Sequence, residues 1–312
     1  MDTAVGRPLS AVKAETSRQL STACYLEQIC IALAPLQHPG WSLMRHLACS
    51  SGAQFEDLPP SAVEESPGTP ARLRSLRPLI NTSGLVRYSV LIEDPSLLLH
   101  NVAVVQDYAE LDWGSKENSA RNIAFYCNAY NIWAMYLAFK KMRKHGLAWK
   151  GQTTIKSRTK FFYFTSIVVA GQKTTLLKLE KHIYDKFHDP RVCCAINSAS
   201  WSSPRLPKEL YDANQLQAQL DEQADSFINR QGGCVFEKDD TVASVSSVFK
   251  WSKASFAREG GIAAFVNKYK QGQQLPEGVS LEFQAFDWSV NWENNARANM
   301  QYPHSPSRKS LE

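Results

Sequence analysis

The chain has 312 residues, of which 44% are hydrophobic, 21% charged and 11% aromatic, and its formal net charge at pH 7 is +5. This composition is typical of a globular protein, and no apolar run reaches the roughly 18 residues that a membrane span needs, so we expect no membrane partner. The first twenty residues lack a basic and then apolar signal sequence. We therefore expect a cytoplasmic location.

The seven cysteines favour neither a disulfide framework nor a zinc site. Their number is odd, their spacing is irregular, and Cys193 and Cys194 are adjacent. We expect no metal and no cofactor.

The chain order predicts one main domain with a short extension. Residues 1–51 contain a helical pattern, and residues 52–70 hold four prolines with Gly, Ser and acidic residues, which is typical of a linker. The main domain then covers 71–300, and 301–312 is predicted to be a disordered tail.

Within the main domain, helices and short strands alternate irregularly. We predict helices over 119–144, 174–187, 210–230 and 258–270, strands over 160–171 and 280–292, and a hairpin between 232 and 251. Segment 85–94 is predicted as a strand or a short helix, and 191–197 as a buried strand or a helical turn. This mixture predicts an α+β fold with a single main domain.

The charges are segregated along the chain. Residues 118–179 contain eleven Lys and Arg residues and no acidic residue. Such a segment is either a solvated basic face or a surface that binds a polyanion. The candidate polyanion-binding residues are Lys140, Lys141, Arg143, Lys144, Lys156, Arg158 and Lys160.

Residues 197–204, NSASWSSP, form a segment rich in hydroxyl groups that we name the serine loop. It directly follows the apolar run VCCAI. A loop of this kind is either a plain surface turn or the floor of an active site, and its sequence does not settle which of Ser198, Ser202 and Ser203 would act.

Polar residues on two predicted helices are further candidates. Asn128 and Asn131 are three apart and share a helix face, so they either tie the helix to neighbouring loops or orient a catalytic group. Glu180 and His182 are two apart and do not face each other, but either could reach the serine loop. A lone histidine such as His182 is more often an ordinary surface or core residue.

Four segments in this order, AFYCNAYN, VAGQKTTLLKLEKHI, HDPRVCCAINSASWSSPRL and AFDWSVN, resemble the family called domain of unknown function 547. The resemblance covers about residues 105–292. The positions that match the family's motifs are Asn128, Tyr130, Asn131, Glu180, Arg191, Asn197, Ser202, Pro204, Asp287, Trp288 and Asn291.

The departures from the family concern its reactive side chains. Lys181 and Cys193 stand where the family has histidines, and Ser198 and Ser203 stand where it has cysteines. If the family's loop cysteine is a nucleophile, this chain has exchanged a thiol for a hydroxyl, and serine needs an activating base. The serine loop is then either an altered active site or one that has lost its activity.

The first functional hypothesis is acyl transfer. Ser203 or Ser202 would attack an activated carbonyl, with His182 or Glu180 as the base and Asn131 or Asn197 orienting the groups. The substrate-binding candidates are Asn128, Arg191, Asn197 and Asp287.

The most specific form of this hypothesis takes its acyl group from an aminoacyl-tRNA bound by segment 118–179. The chain is similar in size to fungal synthases that make arginine-containing cyclodipeptides from charged tRNA. An acidic residue such as Glu180, Asp189 or Asp287 could then hold the arginine side chain. The alternatives are a non-catalytic interaction module with a degenerate site and a serine-dependent hydrolase.

Overall fold

The computed structural model describes residues 72–108, 119–230, 234–236 and 242–295. The helical region predicted over 1–51, the linker 52–70 and the tail 301–312 lie outside the described residues.

The described helices, numbered in chain order, are α1 (Tyr88–Glu93), α2 (Ser96–Asp107), α3 (Ala120–His145), α4 (Ile155–Arg158), α5 (Leu176–Phe187), α6 (Val192–Ala195), α7 (Leu216–Asn229), α8 (Ser247–Trp251) and α9 (Ile262–Tyr269). The described strands are β1 (Ser166–Val169), β2 (Gln172–Thr175), β3 (Cys234–Phe236), β4 (Val242–Val245) and β5 (Ser280–Phe283). Long helices with short strands in two small sheets confirm the predicted α+β class and its single main domain.

Helix α3 is the central element of the fold. The Ser119 side chain caps its first turn by accepting from Asn122 N, and Gly146, with φ of 78°, follows its last residue. Every residue from Ile123 to Phe139 is buried. A helix buried on all sides is a core helix, and this one offers polar side chains to its neighbours on more than one flank.

Helix α5 packs along α3. Thr175 caps it by accepting from Lys178 N. Leu179 and Ile183, four residues apart, are fully buried and form its inner face. Glu180 lies next to Leu179 on this side of the helix and is also buried.

The strand predicted over 160–171 is correct only for its second half. Residues Thr159–Phe164 form a π-helical turn, and β1 follows it and pairs with β2 as an antiparallel hairpin. Phe161 and Phe162 explain the difference, because both are buried although they are adjacent. A strand would direct adjacent side chains to opposite faces, whereas a helical turn lets both reach the core.

The second sheet has the order β3-β4-β5, in which β4 pairs antiparallel with β3 and parallel with β5. The hairpin predicted in this region is therefore confirmed. The closing strand predicted over 280–292 ends at Phe283. Beyond it, single bridges join Ser289, Val290 and Trp292 to three separate parts of the chain.

Two apolar cores meet at the short helix α6. One surrounds α3, and the other lies between α7 and the second sheet. Ala195 of α6 belongs to the first core, whereas Cys193 and Cys194 belong to the second. The serine loop therefore begins where the two cores join.

Across the described ranges, a membrane-crossing helix, both long and apolar enough, is not found.

Candidate active site

Asn131 of α3 fixes the start of the serine loop. Its Oδ1 accepts from Asn197 N at 2.7 Å, and its Nδ2 donates to Ala195 O at 3.0 Å. One turn earlier, Asn128 makes the same pair of bonds with the main chain of Tyr211, both at 2.9 Å. The two predicted asparagines therefore share a face, and that face ties α3 to the chain around the loop.

Asn197 is the centre of the hydrogen bonds that shape the loop. Its Nδ2 donates to Pro204 O, and its Oδ1 accepts from Ala199 N at 2.8 Å and from Asn291 Nδ2 at 2.9 Å. Ala199 has φ of 55°, a conformation that residues with a side chain rarely adopt. The side chain of Asn197 thus holds a sharp turn closed from inside.

Two of the loop's hydroxyl groups form a close pair. Ser198 Oγ and Ser203 Oγ are 2.6 Å apart, and Ser203 Oγ also accepts from Ser198 N at 3.2 Å. Ser203 is buried with 2% exposure, whereas Ser198 is half-buried. The two positions that hold cysteines in the family's motif therefore meet in space, and here they carry two hydroxyls.

Ser202 faces a different neighbour. Its Oγ accepts from Asp287 N at 2.9 Å, and its own N donates to Asp287 O at 3.2 Å. Asp287 Oδ1 accepts from Ser289 N. Ser202 and Asp287, both predicted as site residues, are thus brought together.

Glu180 belongs to α5 and packs against another flank of α3. Tyr130 Oη donates to its Oε2 at 2.9 Å, and burial raises the pKa of this carboxyl from 4.5 to about 7, although the Tyr130 bond opposes the rise. A buried carboxyl with such a pKa can exchange protons near neutrality, which is typical of functional groups but also of some structural ones.

His182 does not contact the hydroxyls for which it was predicted to be the base. Its ring lies 5.1 Å from the Tyr126 ring, and burial, followed by the charge of Lys186, lowers its pKa. In the described structure the hydroxyls of Ser198, Ser202 and Ser203 bond to one another, to the loop's main chain and to Asp287. Neither Glu180 nor His182 is among their partners.

Arg191 is held by carboxylates. Its guanidinium donates to Asp189 at 3.1 and 2.7 Å and to Asp221 at 2.9 Å. Both predicted ligand-binding residues of this segment, Arg191 and Asp189, therefore bind each other and anchor α6 to α7.

The buried thiols near the loop do not supply a thiolate. Burial raises the pKa of Cys127 and Cys194 well above the ordinary value. A protonated thiol is a weak nucleophile, so the hydroxyl groups are the candidates for covalent chemistry at this site.

The basic segment forms a true cluster at one end of α3. Burial lowers the pKa of Lys141, and the charges of Lys160, Lys144 and Lys140 lower it further. Tyr163 and Phe164, each 45% exposed, follow Lys160 on the π-helical turn. Arg143 and Lys156, which are close to these lysines in the sequence, are exposed.

Arg158 lies apart from this cluster and closer to the serine loop. Its guanidinium lies 5.2 Å above the Trp288 ring, which stacks with Trp251 and packs at a tilt against Phe286. The predicted polyanion-binding residues therefore fall into two groups.

Two arginines at the loop, Arg205 and Arg230, were missed from the sequence. Arg230 follows the last residue of α7, and only the folded chain brings it to the loop carbonyls. Arg205 follows Pro204 directly, so its position after the loop was the one available signal. Among the described residues there is no cluster of His, Cys, Asp and Glu that could hold a metal ion.

The family model described as "Protein of unknown function, DUF547" matches residues 115–228. This match confirms the resemblance seen in the motifs, and it includes α3, α5 and the whole serine loop. No curated protein and no solved structure matches the chain. Nothing in these comparisons supports a similarity to cyclodipeptide synthases.

Proposed function

Since the serine loop belongs to a segment that matches a family of unknown function, we propose from the loop itself that the protein is an acyl-transfer enzyme. The observation that carries this proposal is the 2.6 Å contact between Ser198 Oγ and Ser203 Oγ. Ser198 is half-buried and Ser203 buried, so Ser198 is the favoured nucleophile.

The hydroxyl pair suits exchange between two esters. Ser198 Oγ attacks an activated carbonyl, its C–O bond forms, and the bond from that carbonyl to the leaving oxygen breaks. Ser203 Oγ accepts the proton of Ser198 while its own proton moves to the leaving oxygen, because a hydroxyl has one donor and two acceptor sites. The Ser198 hydroxyl becomes an ester and the leaving oxygen becomes a hydroxyl, so the step neither releases nor takes up a proton overall.

The loop's rigidity supports the same reaction. Asn131 and Asn197 hold both ends of the short segment through bonds to the main chain. Groups that are already fixed lose little entropy when a substrate binds, and such positioning contributes strongly to the rate of a covalent step.

The cluster of Lys140, Lys141, Lys144 and Lys160 favours a donor carried on a polyanion. Phosphates stabilise such a group of like charges, of which the other three lower the pKa of Lys141, and the exposed rings of Tyr163 and Phe164 offer surfaces on which bases can stack. An aminoacyl-tRNA fits this description.

In its most specific form the proposal is the synthesis of an arginine-containing cyclodipeptide. The aminoacyl ester passes from the first tRNA to Ser198, and the amine of a second aminoacyl-tRNA displaces the serine, forming the first amide bond. Ring closure forms the second amide bond and releases the second tRNA. With Asp189 bound to Arg191, Asp287 beside Ser202 is the favoured partner for the arginine side chain.

The second candidate is a non-catalytic interaction module. It is favoured by the hydrogen bonds of the loop. The side-chain amides of Asn128, Asn131 and Asn197 bond mainly to main-chain groups, and no described acid or base contacts the hydroxyl pair. In this case the basic cluster would be the functional surface.

Mass spectrometry of a bacterial culture that expresses the chain distinguishes the two. We expect a new arginine-containing dipeptide mass that disappears in Ser198→Ala and falls in Ser203→Ala. The exposed Ser83→Ala is the matched control and keeps the product. Folded variants that all produce the compound would overturn the role of the hydroxyl pair, and absence of any product from the unchanged chain would favour the module.

Binding of tRNA at several salt concentrations tests the basic cluster separately. Each phosphate contact contributes about one unit to the slope of log affinity against log salt. We expect Lys144→Gln to reduce this slope, whereas Lys173→Gln, an exposed lysine on β2, leaves it unchanged. Equal slopes for both variants would remove the cluster from the binding surface.

A further inference from the structure

Arg230 reaches the serine loop from the end of α7. Its Nη1 donates to Ser203 O and its Nη2 to Ser202 O, both at 2.7 Å, and its guanidinium lies 4.5 Å above the Phe227 ring. The group is thus oriented by two carbonyls and one aromatic ring. Carbonyl oxygens are neutral and leave its charge uncompensated.

Arg205 reaches the neighbouring carbonyl of the same loop. Its Nη1 donates to Trp201 O at 3.2 Å, and its guanidinium lies 4.4 Å above the Trp201 ring. Three consecutive carbonyls, those of residues 201–203, therefore hold two guanidinium groups beside one another.

Neither arginine forms an ion pair within the described part of the chain, whereas Arg191 nearby binds two carboxylates. Burial lowers the pKa of Arg205 to about 10, and burial together with the charge of Arg205 lowers that of Arg230 to about 9. Two close, half-buried positive charges are costly unless an anion offsets them.

We propose that Arg205 and Arg230 form a binding site for a phosphate group at the serine loop. Each guanidinium carries more N–H donors than the loop carbonyls use, and its planar fork matches phosphate oxygens. The aromatic rings of Trp201 and Phe227 keep both forks in place.

A phosphate fits this pair better than a carboxylate does. Two positive charges match a doubly charged phosphate, and a tetrahedral group offers oxygens to two forks at once. A carboxylate offers two oxygens and one charge, which a single arginine satisfies. The site does not depend on the proposed acyl transfer, because a phosphate can bind here whether or not Ser198 reacts.

Thermal unfolding of the full chain in inorganic phosphate, at constant ionic strength and pH, tests the site. A ligand that binds only the folded state raises Tm. We expect millimolar phosphate to raise Tm by several degrees relative to chloride, and Arg205→Gln to abolish most of this rise. Lys173→Gln removes the same charge elsewhere and keeps the full response.

Three outcomes would overturn the proposal: phosphate acting no differently from chloride, acetate raising Tm as much as phosphate, or Arg205→Gln responding like the unchanged chain. Where Arg205→Gln fails to fold, Arg205→Lys keeps the charge and loses the fork, and we expect roughly tenfold weaker phosphate binding by calorimetry. Unchanged affinity in that variant would also exclude the site.

Adenosine monophosphate identifies the source of the phosphate. Binding tighter than that of inorganic phosphate indicates a nucleotide, and equal binding indicates a free phosphate. Loss of the dipeptide product in Ser198→Ala with an intact phosphate response would show that the two proposals stand independently.

Discussion

Polar side chains are buried along two flanks of helix α3, and the two flanks differ in the hydrogen bonds that these side chains make. Asn128 and Asn131 each pair one donor and one acceptor with main-chain groups. On the other flank, Glu180 accepts from the hydroxyl of Tyr130, its one hydrogen-bond donor among the described residues. A side-chain amide does not titrate and here has both of its polar groups paired. A buried carboxyl with a single donor, in contrast, binds a proton readily.

The comparison shows which polar groups build the loop and which one responds to pH. The asparagine flank sets the backbone of the serine loop, and on the carboxyl flank burial raises the pKa of Glu180 to about 7. Each flank can be altered separately.

The largest effect is expected for Asn131→Ala. This change leaves Asn197 N buried without its partner, which costs about 1–3 kcal/mol, and the loss of one of the two donors to Ala195 O, which keeps the Tyr211 hydroxyl, costs about 1 kcal/mol more. We expect a loss of about 3 kcal/mol in the free energy of unfolding, measured by urea denaturation at pH 7. Asn214→Ala, at an exposed position, should change it by less than about 0.5 kcal/mol; similar losses in both variants would contradict the role of Asn131.

A pH-dependent effect is expected for Glu180→Gln. The folded-state pKa of Glu180 lies above its ordinary value, so the folded state binds more protons than the unfolded state between about 4.5 and about 7. The stability that Glu180 contributes is therefore full below this window and is lost as the pH rises through it, by roughly 3 kcal/mol.

Glutamine cannot titrate, yet its Oε1 still accepts from Tyr130. The stability of Glu180→Gln relative to the unchanged chain should therefore increase from pH 5 to pH 8, as measured by urea denaturation at each pH. Lys178→Gln, an exposed change on the same helix, is the control. A constant difference between Glu180→Gln and the unchanged chain across this range would show that Glu180 does not titrate there.

The smallest effect is expected for Tyr130→Phe. The Tyr130 hydroxyl stabilises the Glu180 carboxylate, so its removal should raise the pKa of Glu180 further and cost about 1 kcal/mol. Carbon-13 NMR of the Glu180 carboxyl gives this pKa directly. A fall in the pKa would mean that the hydroxyl favours the protonated acid instead.

Short-range patterns in the sequence predicted the helices well. The helices predicted over 119–144 and 174–187 are observed to within two residues at each end, and the caps Ser119 and Thr175 and the glycine after α3 mark their limits. The predicted strand over 160–171 failed at Phe161 and Phe162, because β propensity does not reveal that both rings enter the same core.

The candidate site could be predicted in part. The motif resemblance brought Asn131, Asn197 and Asn291 to attention, and the structure joins them although Asn197 and Asn291 are 94 positions apart. Spacing alone could not show that Ser203 contacts Ser198 and not His182, because that depends on the turn at Ala199. Arg230 has no local signal, since only tertiary packing directs it to the loop.

The segment from Asp287 to Trp292 has a consequence for the order in which the protein is made. It bonds to Val86, to Lys150 and Gln152, and to the serine loop, and it lies close to the end of the described residues. A chain still on the ribosome can pack α3 against α5, but its serine loop lacks these bonds until this segment emerges. The bonds that tie the serine loop to this segment therefore form only after synthesis has passed residue 292.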